Sequence, residues 1–212
     1  SWIPVPPTRK HKGASDQAAL DFDATGERRQ ANDLVNQIRT AVDDWRRRGY
    51  SGVTPITRKL LEHWADPGRG DQRVLFCQRE AAETAIYLAE VAGRHAQTGD
   101  RSVDWRKLID GHNAEFNAGL PRIALKMATG TGKTVVMAML IAWQAINHAF
   151  SPRDARFTDR FLVVTPGITI RDRLRVLQPS DSGNYYAERD LVPADLWGAL
   201  RTARVSIINY HA

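Results

Sequence analysis

Five consecutive residues, Gly130-Thr131-Gly132-Lys133-Thr134, carry the plainest chemistry in this chain. Two glycines set one residue apart free the backbone of Cβ atoms, so it can turn left-handed and approach an anion closely. Successive N–H groups then point inward, and the positive end of a following helix adds to the attraction. A lysine directly after the second glycine reaches the outer phosphates of a nucleotide. The threonine hydroxyl after it suits Mg2+. With Thr129 at its start, the cluster Thr129, Gly130, Thr131, Gly132, Lys133 and Thr134 is expected to bind a triphosphate. Lys133 and Thr134 are the candidate catalytic residues, and Thr134 is the candidate metal ligand.

Gln78 is the next residue whose type suggests a ligand. A primary amide pairs one donor and one acceptor with the N6 and N7 edge of adenine. An amide near the start of a helix also caps that helix, and taken alone this is the better reading. A phosphate loop downstream, with an apolar helix between, favours adenine, and hence ATP with Mg2+ as cofactors. Phe76 could pack on the base, although a core position is the stronger expectation for it.

These groups need elements to hold them. Ile123-Ala124-Leu125 predicts a short strand entering the loop. The apolar run Val135–Trp143 predicts a helix from Lys133 to about Ala149, buried on more than one side. Phe161-Leu162-Val163-Val164 reads as a second, continuous buried strand ending at Thr165-Pro166-Gly167. A helix bearing Arg171, Arg173 and Arg175 follows. Val205-Ser206-Ile207-Ile208 reads as a third strand, ending at Asn209-Tyr210-His211. Strands alternating with helices predict a parallel sheet in an α/β layer fold, whose ligands gather beyond the carboxyl ends of its strands. The phosphate loop, Thr165–Gly167 and Asn209–His211 are all expected at those ends.

Upstream, Ala31, Leu34, Val35, Ile38, Ala41, Val42 and Trp45 make an apolar stripe that predicts a helix over Glu27–Arg48. Arg46-Arg47-Arg48 places cations where that helix leaves its carbonyls unpaired, and Gly49 ends it. A short helix is predicted at Thr57–Trp64, then a turn at Pro67–Asp71. Ala81, Ala82, Ala85, Ile86, Leu88, Ala89 and Ala92 mark the buried face of a helix that follows Gln78. Ser1–Gly26 reads as an irregular arm with a basic cluster at Thr8–Lys12. Gly93–Gly119 reads as an excursion, with one helix over Val103–Ile109 and a polar loop from Gly111 to Gly119.

The net charge of +6 tilts the chain toward a polyanionic partner, although 24 acidic residues are interspersed. A single cysteine, Cys77, excludes an internal disulfide and fits a reducing cytoplasm. Val135–Trp143 is too short to span a bilayer, and the N-terminus shows no charged-then-apolar signal pattern. The expectation is a cytoplasmic protein with no membrane partner. The six histidines are scattered and predict no zinc site.

Four segments together resemble a known family. Phe76-Cys77-Gln78-Arg79-Glu80-Ala81, Met127–Thr134, Val164–Gly167 and Ile207–His211 are similar to the adenine-reading motif, motif I, motif Ia and a later DNA-facing motif of DEAD/DEAH-type superfamily 2 helicases. The wording is closest to the helicase (restriction) subunit of type III restriction enzymes. The N-terminal piece, from Trp2-Ile3-Pro4-Val5-Pro6 through Gly52-Val53-Thr54-Pro55, also resembles the lead-in of that group. Met127 stands where the general nucleoside-triphosphatase pattern has glycine, a position at which superfamily 2 does not require it.

The resemblance implies an α/β P-loop (RecA-like) parallel sheet, incomplete, preceded by an N-terminal helical segment. Residues 1–70 would form the arm and helical lead-in. Residues 71–212 would form the first part of the ATP-binding helicase domain, ending before the acidic Mg2+-binding motif. It also implies an ATP-driven translocase on double-stranded DNA within a type III-like restriction endonuclease, with a methyltransferase (modification) subunit as partner. Gln78 would read adenine, residues 129–134 would hold the triphosphate and metal, and Thr165, Pro166, Gly167 and Arg171 would meet a DNA strand. The whole protein would be an ATPase motor, while this stretch alone would bind nucleotide weakly and hydrolyse essentially none. The alternatives are a nucleic-acid-binding module and another P-loop NTPase without helicase activity.

Overall fold

A computed structural model describes residues 2–4, 29–92, 105–116 and 122–210. The strongest apolar run becomes its central element. Helix α5, Lys133–Phe150, buries Val135, Val136, Ala138, Met139, Ile141, Ala142, Trp143, Ala145, Ile146 and Asn147. Burial on so many sides means that other elements surround it. Four helices pack directly on it: α2 (Pro55–Ala65), α3 (Phe76–Ile86), α7 (Tyr185–Glu188) and α8 (Trp197–Leu200). One hydrophobic cluster extends from Ile38 to Leu200 and joins the lead-in to the rest.

The first helix, α1, spans Asp33–Arg47, and Arg29–Ala31 ahead of it is strand β2, antiparallel to β1 (Trp2–Pro4). This corrects two expectations, a helix starting at Glu27 and an irregular arm throughout Ser1–Gly26. The helix starts late because Asn32 caps it, its side chain accepting from the Val35 N–H. Ile38, Val42 and Trp45 form its buried stripe, while Val35 is exposed. The basic cluster Thr8–Lys12 lies outside the described residues. The arginines at the helix end are tied within the fold. Arg46 donates to Asp43 and to the buried Glu83, and Arg47 to Asp43. Tyr50 donates to the same Glu83 carboxylate at 2.8 Å, and burial beside that anion pushes its phenol pKa up.

Helix α2 covers the predicted second helix, with the Thr54 hydroxyl as its cap. After α3, residues Tyr87–Val91 form a π-helical turn that buries Glu90. Helix α4, Trp105–Phe116, runs into the segment expected to be a polar loop. That segment contains only one glycine before Phe116, too weak a breaker to stop a helix already started.

Two strands form the parallel sheet, β3 (Arg160–Thr165) and β4 (Arg204–Asn209), paired from Arg160↔Arg204 to Thr165↔Asn209. The stretch between them contains α6 (Ile168–Arg173), α7 and α8. The fold is thus mixed helix and strand, compatible with an incomplete α/β layer. Two details differ from the sequence reading. Ile123–Leu125 forms no strand, because a strand exists only through a neighbour's ladder and these residues have none among the described ones. β3 is half-buried rather than continuously buried. Val163 and Thr165 face the core, while Leu162 and Val164 are 65% and 54% exposed. A strand alternates its side chains, and only one face of this sheet is covered.

Candidate functional site

The loop Ala128–Gly132 folds back on itself before α5. Gly130 and Gly132 both take left-handed backbone, at φ 81° and 77°, which the sequence reading required of them. The Ala128 carbonyl accepts two donors, the Thr131 hydroxyl at 2.7 Å and the Lys133 ammonium at 2.9 Å. Gly132 is the N-cap of α5, and its carbonyl accepts the Val135 N–H at 2.9 Å. Among the described residues, the N–H groups of Gly132, Lys133 and Thr134 donate to no backbone carbonyl. They are among the unpaired donors every helix start presents, here gathered in a glycine turn.

Gln78 lies directly on this loop. Its amide oxygen accepts the Leu75 N–H at 3.0 Å, and its amide nitrogen donates to the Thr131 carbonyl at 2.9 Å. The side chain therefore caps α3 and clasps the phosphate loop at once. An amide has two N–H groups and two oxygen lone pairs, so one of each remains beyond these two bonds. Phe76 does not enter the core. It is 54% exposed, with the Arg46 and Arg79 guanidinium groups 5.3 and 5.6 Å from its ring centre. Both arginines also pair with the buried Glu83.

A cavity of about 360 Å3 opens over the loop. Gly130, Gly132, Thr134 and Val135 line it, with Gln78 and residues 71–75. Tyr185, Arg189 and Leu191 complete the lining, residues that neither spacing nor periodicity singles out in the sequence. The chain separation explains this, since more than fifty residues lie between them and the loop. A second cavity, of about 400 Å3, sits between the π-helical turn, α4 and Arg122-Ile123, and the phosphate loop takes no part in it.

This arrangement fits a bound triphosphate. Gly130, Gly132 and Thr134 line the cavity, while Thr129, Thr131 and Lys133 do not, and the Lys133 ammonium rests on the Ala128 carbonyl. For a metal the fit rests on Thr134, whose side chain borders the cavity. Among the described residues no three His, Cys, Asp or Glu side chains cluster as a metal cage.

Gly132 is the most constrained point. A Cβ built there would overlap the Gln78 amide nitrogen, whereas one built at Gly130 would meet nothing within 4 Å. Gly130→Ala is therefore expected to lose only the cost of left-handed backbone, about 1–2 kcal/mol. Gly132→Ala should lose that and the Gln78 clasp as well. Urea unfolding of the two variants tests this, and equal losses would contradict it.

The residues assigned to a nucleic-acid strand lie elsewhere. Thr165 ends β3, Pro166 and Gly167 turn the chain, and Arg171 sits on α6. The buried Thr165 hydroxyl donates to the Gly167 carbonyl at 3.2 Å, and Arg171 pairs with Asp172 at 3.0 Å. The Tyr210 N–H donates to the Thr165 carbonyl at 2.8 Å, so the ends of β3 and β4 meet, as their parallel pairing demands. His211 lies outside the described residues. None of these residues lines the cavity at the phosphate loop. The expectation that all three segments share one sheet end thus holds for Thr165–Gly167 and Asn209-Tyr210, since among the described residues the loop itself follows no paired strand.

A glycine turn opening a buried helix, with an amide clasped on it beside a cavity, in a chain with a parallel strand pair, is compatible with a phosphate-loop protein, and the family match that follows implies the helicase-like, ATP-binding class. Residues 72–190, more than half the chain, match the family described as type III restriction enzyme, res subunit, and the chain belongs to that family. The matched span takes in Gln78, the phosphate loop, Thr165–Gly167, Tyr185 and Arg189. No curated protein and no solved structure matches the chain. Among the described residues no helix is long and apolar enough to cross a membrane.

Proposed function

We propose that this chain is the ATP-binding portion of a DNA-dependent ATPase and translocase of a type III-like restriction endonuclease. The observation that carries this reading is the clasp of Gln78 on Thr131. It joins the one adenine-reading candidate to the phosphate loop within a single cavity. ATP with Mg2+ is the ligand. Lys133 meets the outer phosphates, Thr134 holds the metal, the amides of residues 129–134 surround the phosphate chain, and Gln78 reads adenine through its remaining N–H and lone pair. Residues 71–212 form the nucleotide-binding unit, and residues 1–70 form its lead-in.

Thr165, Pro166, Gly167 and Arg171 are the contact points for a strand of double-stranded DNA. The net charge of +6 supports that partner. A modification methyltransferase is the proposed protein partner, a reading that rests on the family alone.

Titration calorimetry of the chain with ATP and Mg2+, followed by competition with GTP, tests the proposal. ATP should bind and GTP should displace it poorly, because guanine carries O6 where adenine offers N6–H to the Gln78 oxygen. Equal competition by GTP would favour another P-loop NTPase. DNA binding without any nucleotide binding would favour a nucleic-acid module.

A further inference from the structure

The cavity over the phosphate loop has a half that the loop does not build. Tyr185 and Arg189 line it together with Gln78 and residues 71–75. We propose that Tyr185 and Arg189 form the base-side wall of the nucleotide site, a stacked pair against which the purine ring of ATP lies. This rests on the ATP-binding reading above and adds to it two affinity-determining residues from a distant part of the chain.

Tyr185 opens α7 and Arg189 is the residue that caps its C-terminal end, and the two side chains meet. The guanidinium carbon of Arg189 is 5.4 Å from the Tyr185 ring centre. A phenol ring with a guanidinium beside it offers flat, polarisable surface, to which a purine adds by stacking on either component. The position is consistent with that use. Gly130, Gly132 and Thr134 line the same cavity as Tyr185 and Arg189. A nucleotide whose phosphates lie on the glycines has this pair within the one cavity it occupies. A volume of about 360 Å3 falls within the range of small-ligand pockets.

The wall is fixed in place before any ligand arrives. Asn184 caps the short helix, its side chain accepting from the Ala187 N–H at 3.0 Å. Tyr186 is fully buried and donates to the Leu177 carbonyl at 2.7 Å. The chain just beyond α7 is held from the opposite side. Arg69 donates to the carbonyl oxygens of Arg189 and Asp190, His63 Nε2 lies 2.7 Å from the Asp190 carbonyl, and Trp64 donates to the Leu191 carbonyl at 2.8 Å. Asp190 takes a left-handed φ of 46°, which those bonds hold in place. The two distant parts of the cavity lining are thus stapled together through residues 63–69, and little ordering remains to oppose binding.

The test uses chain 1–212 and two probes, ATP with Mg2+ and inorganic tripolyphosphate with Mg2+, titrated by calorimetry. Tyr185→Ala and Arg189→Ala are each expected to weaken ATP about tenfold, while tripolyphosphate stays within about twofold. Tyr185→Phe, which keeps the ring face, should bind ATP like the unaltered chain. Lys133→Ala should weaken both probes. Unchanged ATP affinity in the two wall variants, with both probes lost in Lys133→Ala, overturns the wall and leaves the ATP reading standing. Equal weakening of ATP and tripolyphosphate in the wall variants overturns it as well, since it would show a general disturbance rather than a contact to the base. Indifference of both probes to Lys133→Ala removes the ATP reading itself. Arg189 is exposed, so Arg189→Ala keeps the test decisive even where Tyr185→Ala disturbs folding.

Discussion

Lys133→Ala is expected to reduce the affinity of this chain for ATP and Mg2+ by ten- to a hundredfold while leaving its stability almost unchanged. The two halves of that expectation have separate causes. In the structure the Lys133 ammonium donates to the Ala128 carbonyl at 2.9 Å, at an exposed position. Water replaces such a bond easily. The Thr131 hydroxyl also remains on the same carbonyl at 2.7 Å, so no buried acceptor is left unpaired. The loss in stability should stay below about 1 kcal/mol.

Nucleotide changes the partner. A lysine that exchanges a carbonyl for phosphate oxygens gains a charge-assisted bond worth about 1.5–3 kcal/mol. Converted to affinity, that is about ten- to a hundredfold. Calorimetric titration and a urea melt of the same variant check both halves. Unchanged affinity would mean the loop does not hold the phosphates. A large loss of stability would mean the lysine is structural.

The second large effect falls on Glu90, which makes no contact with the proposed nucleotide. Its carboxylate is buried in the π-helical turn and accepts three hydrogen bonds: from the Thr54 N–H at 3.0 Å, the Thr57 hydroxyl at 2.6 Å and the Trp143 indole at 2.7 Å. Asn147 extends the network, donating to Thr57 at 2.9 Å and accepting from the Thr54 hydroxyl at 2.5 Å. Trp143 and Asn147 belong to α5, and Thr54 and Thr57 to the start of α2. The carboxylate thus locks the helix that leaves the phosphate loop onto the lead-in.

Glu90→Ala removes the shared acceptor and strands buried donors, each costing about 1–3 kcal/mol. Part of that is relieved because Thr57 and Trp143 also face each other at 3.2 Å. A net loss of about 3–5 kcal/mol is expected, a large share of the ~5–15 kcal/mol that holds a domain folded. At a slope of about 2 kcal/mol/M, the urea midpoint should fall by about 2 M. Glu90→Gln should lose less. It keeps one acceptor oxygen but turns an amide N–H toward groups that already donate. A melt of Glu90→Ala within about 0.5 kcal/mol of the unaltered chain would show that the network contributes nothing net.

Much of the site was legible before any coordinates. Left-handed backbone at Gly130 and Gly132, the helix start at Lys133, and Gln78 beside the loop follow from residue type and near-neighbour spacing. The helix over Pro55–Ala65 and the strands over Phe161–Val164 and Val205–Ile208 were readable for the same reason. Misreadings occurred where a local pattern depended on something distant. Ile123–Leu125 is apolar and strand-like, but no ladder reaches it. Phe76 looked like core, yet two arginines paired with Glu83 flank it at the surface. Leu162 and Val164 looked buried until the sheet proved to be covered on one side.

The chain's own order of residues was sufficient to define the glycine turn proposed as a phosphate cradle, because that turn is built from neighbours. Turn dihedrals, a helix N-terminus and an adjacent lysine all lie within a few bonds of one another. Tertiary structure alone decided what lines the cavity with it. Tyr185 and Arg189 reach it only because Tyr186 is buried behind them and because Arg69, His63 and Trp64 hold the backbone just after α7. Contacts between residues more than a hundred positions apart leave no periodic trace in a sequence, since packing rather than chain geometry selects them.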